Sequence, residues 1–287
     1  MDQLAFDDLA EFAEKFRNQF SGIRIFVQCG LMSRRIMPQI HDIFTDNKLN
    51  PRIIVIQTNK DAPLLFVPIV HVWRRPDIDF QTFSDLLNSA PIDWTKTFCF
   101  HQLSYPETVS YVKQYAEQKS LRFEDTDDPC KQLFAPPLLT TSAESEKAIL
   151  GEDFYLDSLH ESDSGNVNST WKYARANDSL ARIKFWIKYL PTSCVRRRSD
   201  NVSVGHCLCT DWGTIGLLFV EPTYRRRGFA KLLMNDCTQK IRGLGLDCPV
   251  YCQVVFSNVS SEKLMKSLAW KDSECDVLFT VCHSKDI

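Results

Sequence analysis

The chain has 287 residues, of which 44% are hydrophobic and 24% charged, and a formal net charge of -2. That length suits about two domains of ~100 to 200 residues, each with its own core. There is no basic excess to neutralise nucleic-acid phosphates, and no stretch approaches the ~18 consecutive apolar residues of a membrane helix.

The first residues carry Asp2, Asp7, Asp8, Glu11 and Glu14, so no signal or transit segment is expected. Eleven cysteines, an odd number, predict free thiols and a reducing interior, cytoplasmic or mitochondrial matrix. Their close pairs, Cys207-x-Cys209 and Cys248-x-x-x-Cys252, fit strand alternation better than a zinc site. No metal is expected.

In chain order, apolar residues at helical spacing from Leu4 to Phe20 predict an amphipathic helix. Ile23 to Val27 reads as a strand, and Ser33 to Phe44 as a helix with Ser33 as its N-cap. Strands are predicted over Arg52 to Gln57 and Leu64 to Trp73, joined by a turn from Asn59 to Pro63. Phe80 to Leu87 follows as a helix, Thr97 to Gln102 as a strand, Ser104 to Gln118 as a helix capped by Ser104 with Glu107 three residues on, and Leu121 to Glu124 as a strand. Asp125 to Glu152 has no sustained period and holds Pro136-Pro137, which makes residues 131–152 a linker or crossover between domains at 1–130 and 153–287.

In the second half, Phe154 to Leu156 reads as a strand. His160 to Tyr173 and Asn177 to Tyr189 read as helices, the latter capped by Asn177. Ser193 to Arg196 and Val202 to Cys209 form a predicted hairpin, with Arg196 to Arg198 as a solvated basic turn. Asp211-Trp212-Gly213 then turns the chain into an apolar strand, Ile215 to Val220, which Pro222 ends. The next helix buries Phe229, Leu232, Leu233, Cys237 and Ile241 on one stripe. Pro249 to Val255, Asn258 to Ser267 and Val277 to Cys282 complete the chain as strand, helix and closing strand.

Between the Ile215 strand and its helix lies Arg225-Arg226-Arg227-Gly228-Phe229-Ala230. Gly228 and Ala230 let a ligand approach backbone N–H groups at the positive end of a helix, a geometry that holds phosphate. The spacing is that of neither a P-loop nor a dinucleotide fold.

With Val220, Pro222, Arg225, Gly228 and Ala230 in place, the segment resembles the acyl-CoA loop of the GNAT superfamily, [QR]-x-x-G-x-[GA] after a strand ending V-x-P. A second signature, Asn258, Ser261 and Leu264 followed by Ala269-Trp270, is similar to the superfamily's pantetheine-contacting helix. Leu190-Pro191-Thr192-Ser193-Cys194, Pro222-Thr223-Tyr224-Arg225 and Cys248-Pro249-Val250-Tyr251 resemble the glycine N-acyltransferase family in particular.

The resemblance implies an α/β (α+β) GNAT fold whose mixed central sheet has parallel strands splayed apart at their ends in the C-terminal half. The N-terminal half has the same order of elements without the phosphate loop, and is expected to be a degenerate, non-binding copy. The implied activity is transfer of an acyl group from acyl-CoA, acetyl or longer, to the amine of glycine or another small amino acid or amine.

By position in the motif, Leu218, Phe219 and Val220 would meet the pantetheine arm, with the Leu218 N–H polarising the thioester carbonyl. Arg225, Arg226, Arg227, Gly228, Phe229 and Ala230 would meet the diphosphate, and Asn258 and Ser261 the arm again.

The glutamate that serves these enzymes as base, eight residues before the motif proline, is here Thr214, which cannot accept a proton at neutral pH. The tyrosine acid is Met265. His206, placed by alternation on the side of Thr214, Gly216 and Leu218, is the replacement base considered, with Asp211 and Glu221 less suited. The vacancies leave a second reading open, an acyl-CoA-binding protein without catalysis acting as a sensor or interaction module. A protein-lysine acetyltransferase is a third. Neither nucleic acid nor membrane is an expected partner.

Overall fold

A computed structural model describes residues 1–19, 22–60, 62, 68–125, 129–137, 142–174 and 176–283, without the side chains of 176–178 and 283. The end of the predicted first helix at Phe20, the turn residues Asp61 and Pro63, residues 64–67 of the predicted Leu64 strand and the side chain of the predicted cap Asn177 lie outside what the structure describes. The elements are β1 (Asp2–Gln3), α1 (Leu9–Glu14), α2 (Ile23–Ser33), β2 (His41–Thr45), β3 (Ile53–Thr58), β4 (Ile69–Arg74), α3 (Phe80–Asn88), β5 (Phe98–Tyr105), α4 (Glu107–Lys119), β6 (Arg122–Asp125), β7 (Cys130–Phe134), α5 (Ala143–Leu150), β8 (Phe154–Asp157), α6 (Ser164–Thr170), α7 (Ala176–Tyr189), β9 (Thr192–Arg197), β10 (Ser203–Cys209), β11 (Thr214–Val220), α8 (Phe229–Arg242), β12 (Tyr251–Val255), α9 (Val259–Ser267), β13 (Lys271–Asp272) and β14 (Asp276–His283). They form two compact units, one of residues 1–132, 255–257 and 273–287, the other of 133–254 and 258–272.

In the first unit, β1 to β4 pair antiparallel in sequence order. β4 and β5 then run parallel, joined only at Ile69↔Cys99 and Val70↔Phe100. The strand expected over Val277 to Cys282 forms as β14 and belongs to this unit, antiparallel to both β5 and β6. Apolar residues of β3, β4 and β5 pack with Phe83 and Leu87 of α3 and Val109 and Val112 of α4, each buried aliphatic side chain contributing about 1.5 to 3 kcal/mol.

Several local expectations are corrected by the structure. Residues 23–27, expected as a strand, open α2; the β-branched residues mislead, whereas Arg24 and Gln28 bond at the i,i+4 spacing that only a helix provides, 3.1 Å apart. Ser33 ends that helix instead of capping another, and 41–45 are strand β2. The Leu4 segment is helical as a short 3-10 turn and α1 only. Ser104 lies within β5, and α4 begins after Pro106 without a side-chain cap. In and beside residues 131–152, expected as a linker or crossover, lie β7 and α5, the latter capped by Ser142, whose Oγ accepts from Ser145 N at 3.2 Å.

The second unit carries β8-β9-β10-β11 as an antiparallel set. β11 continues parallel to β12, paired at Thr214↔Tyr251 and Ile215↔Cys252. α8 buries Phe229, Leu232, Leu233, Cys237 and Ile241, the predicted stripe, and adds Met234 and Thr238. The helix predicted from His160 to Tyr173 is a 3-10 turn followed by the shorter α6. Among the described residues no helix is long and apolar enough to cross a membrane.

Candidate acyl-CoA site

The pairing of β11 with β12 stops at Ile215, and residues 216–219 are only half-buried. From Gly216 onward one edge of β11 is therefore without β12 as a ladder partner, and its N–H and C=O groups can pair with an extended ligand. On its other edge β11 holds β10 with a register jump between His206 and Leu208, which pair with Phe219 and Gly216. The extra residue is taken up at Leu217, whose φ is 52°. Such a bulge bends the strand and re-aims the side chains beyond it.

The bulge also corrects the face assigned to His206. Alternation alone would set it with Leu218, but its ring lies beside that of Phe219, centroids 5.6 Å apart.

The strand leads through Pro222–Tyr224 into the N-terminus of α8. Gly228, the N-cap, has φ 92° and offers no side-chain cap. Arg226 also lies in the left-handed region, at φ 66°. Among the described residues no backbone carbonyl takes the N–H groups of residues 226–231. A run of free amides at a helix N-terminus, set by left-handed residues, forms a concave cradle for an anion. α3 of the first unit follows its own parallel strand in the same way, but Asp79 caps it, accepting from Thr82 N at 2.7 Å. The carboxylate fills the place a phosphate would take. These features fit a diphosphate and an extended arm in the second unit.

The three arginines differ. Arg225 Nε donates to Val220 O at 3.0 Å, tying the loop to the strand end. Arg227 lies over an aromatic nest, its guanidinium carbon 4.8 Å from the Phe154 centroid, 5.2 Å from Phe229 and 5.9 Å from Tyr224. Arg226 is exposed.

Sequence reasoning missed three supports of this loop. Arg197 Nη1 donates to Tyr224 Oη at 2.6 Å, Phe154 forms the floor under Arg227, and Ile149 of α5 packs on Gly228. The only signal for them in the sequence is the aromatic and basic content of the flanking segments.

Arg196, expected in a solvated turn, is 2% exposed. Its Nε meets Asp157 Oδ2 at 2.7 Å and its Nη2 meets Asp163 Oδ2 at 2.6 Å. Burial pushes both carboxyls up, but the hydrogen bonds and charge of Arg196, with backbone N–H groups, outweigh it and hold both below the ordinary aspartate value.

Among the residues considered for proton transfer, Thr214 is buried and its Oγ1 lies 2.9 Å from Thr210 Oγ1. Met265 is buried too. His206 is 1% exposed, and desolvation lowers its pKa to about 4 against a small opposing effect of Asp163. Thr170 Oγ1 lies 3.1 Å from the carbonyls of Asn166 and Val167 and 3.5 Å from His206 Nε2, and His206 Nδ1 is buried without a protein partner among the described residues.

Asp211 is spent on Trp186, accepting from its Nε1 at 2.7 Å. The N–H of Glu221 donates to Val204 O. Asn258 caps α9, its Oδ1 accepting from Ser261 N at 3.1 Å. Above Gly216 there is room, since a β-carbon there would meet nothing nearer than Thr210 Cγ2 at 3.9 Å. Among the described residues no group of His, Cys, Asp or Glu could hold a metal ion.

Residues 156–270 match the Acetyltransferase (GNAT) family. The glycine N-acyltransferase of Homo sapiens is 25% identical over 201 residues, 66% of this chain and 67% of that protein. The Pongo abelii enzyme of the same name is 26% identical over 202 residues, with the same shares. Among solved structures, a Drosophila protein superposes with a TM-score of 0.76 at 15% identity, over 98% of this chain and 97% of its own. A tandem GNAT protein from the clavulanic acid biosynthesis pathway superposes with a TM-score of 0.56 at 12% identity, over 99% and 98%. Residues 156–270 thus resemble the GNAT acetyltransferases, the fold is similar to that of a solved tandem GNAT protein, and about two thirds of the chain is similar to the glycine N-acyltransferases.

Proposed function

We propose that the second unit binds acyl-CoA and transfers its acyl group to the amine of glycine or another small amine. The observation that carries this reading is the continuity of the unpaired β11 edge, from Gly216 to Val220, with the uncapped amide cradle at Gly228. An extended pantetheine arm needs the first and a diphosphate the second. The names of the relatives, glycine N-acyltransferase, support the acceptor class.

In this reading the amides of residues 226–231 and the Arg226 and Arg227 guanidiniums hold the diphosphate. Each charge-assisted bond contributes about 1.5 to 3 kcal/mol. Leu218 N–H, at the bulge, faces the thioester carbonyl and stabilises the charge that builds on its oxygen; such a donor lowers a barrier by about 3 to 4 kcal/mol. Val220 takes the amide of the arm, Phe219 lines it, and Asn258 and Ser261 close over it from α9.

Proton transfer is the weak point of the site. Thr214 has no basic group, Met265 no proton to give, and His206, with a pKa of about 4, is a poor base at neutral pH. The amine that attacks is therefore the fraction already neutral, its proton passes to water, and proximity, which can be worth ~7 to 11 kcal/mol, supplies most of the rate.

Those same residues favour a second reading, an acyl-CoA-binding module without turnover. A thiol-release assay across acyl-CoAs and amines separates the two. Amine-dependent release of free CoA above the uncatalysed background supports the transferase, and binding without such release leaves the module.

A further inference from the structure

Among the described residues two glycines lie inside strands, Gly205 in β10 and Gly216 in β11. A glycine weakens a strand, so each calls for a reason. Gly205 has one in the packing. A β-carbon on it would stand 3.2 Å from Phe219 O and 3.3 Å from both Leu233 Cδ1 and Val220 Cγ2. Gly216 has no such neighbours. A β-carbon there would meet only Thr210 Cγ2 within 4 Å, at 3.9 Å, although the position is half-buried. Its backbone is not left-handed either, since the left-handed residue of the bulge is Leu217. Neither packing nor backbone conformation asks for glycine at 216, and a strand glycine of that kind marks a place where a ligand comes close.

The position of Gly216 in the fork points to the part of the ligand that does so. β11 and β12 pair at Thr214↔Tyr251 and Ile215↔Cys252, so Gly216 is the first residue past the closed end. Ile215 and Cys252, which close it, are each 3% exposed. In the acyl-CoA reading the arm runs along β11 from Val220, and the thioester carbonyl stands at Leu218. Two residues of strand, about 6 to 7 Å, separate Leu218 from Gly216. An acetyl methyl stops short of that position, and a chain of several carbons reaches it. There the paired strands bar the way in the plane of the sheet, and the chain must turn out over the bare α-carbon of Gly216. Thr210 presents its methyl to this space, while its hydroxyl lies 2.9 Å from Thr214 Oγ1. A hydrocarbon chain suits that surface.

We propose that Gly216 sets the size of the acyl group, its missing side chain admitting an aliphatic acyl chain longer than acetyl. The proposal rests on the acyl-CoA reading of β11 and adds to it a selecting residue and a direction for the chain.

The test is isothermal calorimetry of the full chain with CoA, acetyl-CoA, butyryl-CoA and hexanoyl-CoA, on the wild type, Gly216→Ala and Gly216→Val. The quantity read is the ratio of hexanoyl-CoA to acetyl-CoA affinity within each protein, so that a general change in CoA binding cancels. In the wild type hexanoyl-CoA should bind about tenfold or more tighter than acetyl-CoA, with butyryl-CoA between them. Gly216→Val should lower that ratio by about tenfold or more, and Gly216→Ala by less, because one methyl takes up less of the room. Thermal denaturation checks that the room exists. Gly216→Ala should melt at or above the wild-type temperature, since its methyl displaces nothing and the unfolded chain loses freedom. A lower melting temperature in Gly216→Ala, no wild-type preference for the longer chain, or a preference that Gly216→Val leaves intact would overturn the proposal. If CoA still gives saturable heat in those cases, the acyl-CoA reading stands without it. No saturable heat with CoA or any of the thioesters would overturn both.

Discussion

The side chain of Ile149 stands 3.3 Å from the point where a β-carbon on Gly228 would fall, while the Gly228 backbone sits at φ 92°. Two independent restrictions therefore coincide at the N-cap of α8. A side chain there would be strained in the left-handed region and would press on α5. Gly228→Ala should lower stability by about 1 to 2 kcal/mol and weaken CoA binding more than that loss explains, because the cradle amides rotate with the cap. Thermal denaturation and calorimetry on the one variant separate the two effects.

His206 provides a pH test. Its folded pKa, about 4, lies below the ordinary value of about 6.5, so between those values the unfolded chain binds more protons. Stability from this group is present above pH ~6.5 and is lost as pH falls toward ~4. An NMR titration should give a midpoint near 4, and His206→Gln should flatten the stability curve in that window. If transfer activity is found, its profile from pH 6 to 9 should keep its shape in the same variant. A rate step near pH 6.5 that vanishes in His206→Gln would make this histidine the base after all.

The Arg196 cluster titrates in the acid range. Asp157 and Asp163 are both depressed, so their stabilisation is complete above the ordinary aspartate pKa of about 3.9 and disappears as pH drops through their lower folded values. Asp163→Asn should reduce the stability difference between neutral pH and pH 3. Arg196→Leu, which leaves the Asp157 and Asp163 carboxylates without their shared cation, should lower stability by about 3 to 5 kcal/mol at pH 7. Unfolding by denaturant at several pH values measures both.

How far the chain can be understood from its sequence depends on whether a residue's role is local. The loop from Arg225 to Ala230 and the α8 stripe are legible because a strand, a glycine cap and a 3.6-residue period are written in adjacent positions. Residues 23–27 mislead because Ile23, Ile25 and Val27 alternate like a strand, and burial decides otherwise. Arg196 misleads because its partners, Asp157 and Asp163, lie 39 and 33 residues away. The bulge at Leu217, which turns His206 toward Phe219, leaves no trace in residue type. The pairing of β14 with β5 in the first unit cannot be read from a closing apolar run, since the run fits either sheet.

Thr214 permits a gain-of-function test. If the missing base limits turnover, Thr214→Glu should accelerate amine-dependent thiol release by about 10²-fold, the lower end for general-base catalysis, with a rate that rises as the new carboxyl ionises. The flanking Thr210 hydroxyl, 2.9 Å away, can hydrogen-bond the new carboxylate. Unchanged release in a folded variant would mean that proton removal does not limit the reaction.

The most direct measurement of the central claim is isothermal calorimetry of the wild-type chain with CoA, acetyl-CoA and a longer acyl-CoA, repeated with Arg226→Ala/Arg227→Ala. The account predicts a saturable heat for all three ligands and affinity weakened by about tenfold or more in the double variant. No heat with any of the three, or identical affinity in the double variant and in Gly228→Ala, would contradict it.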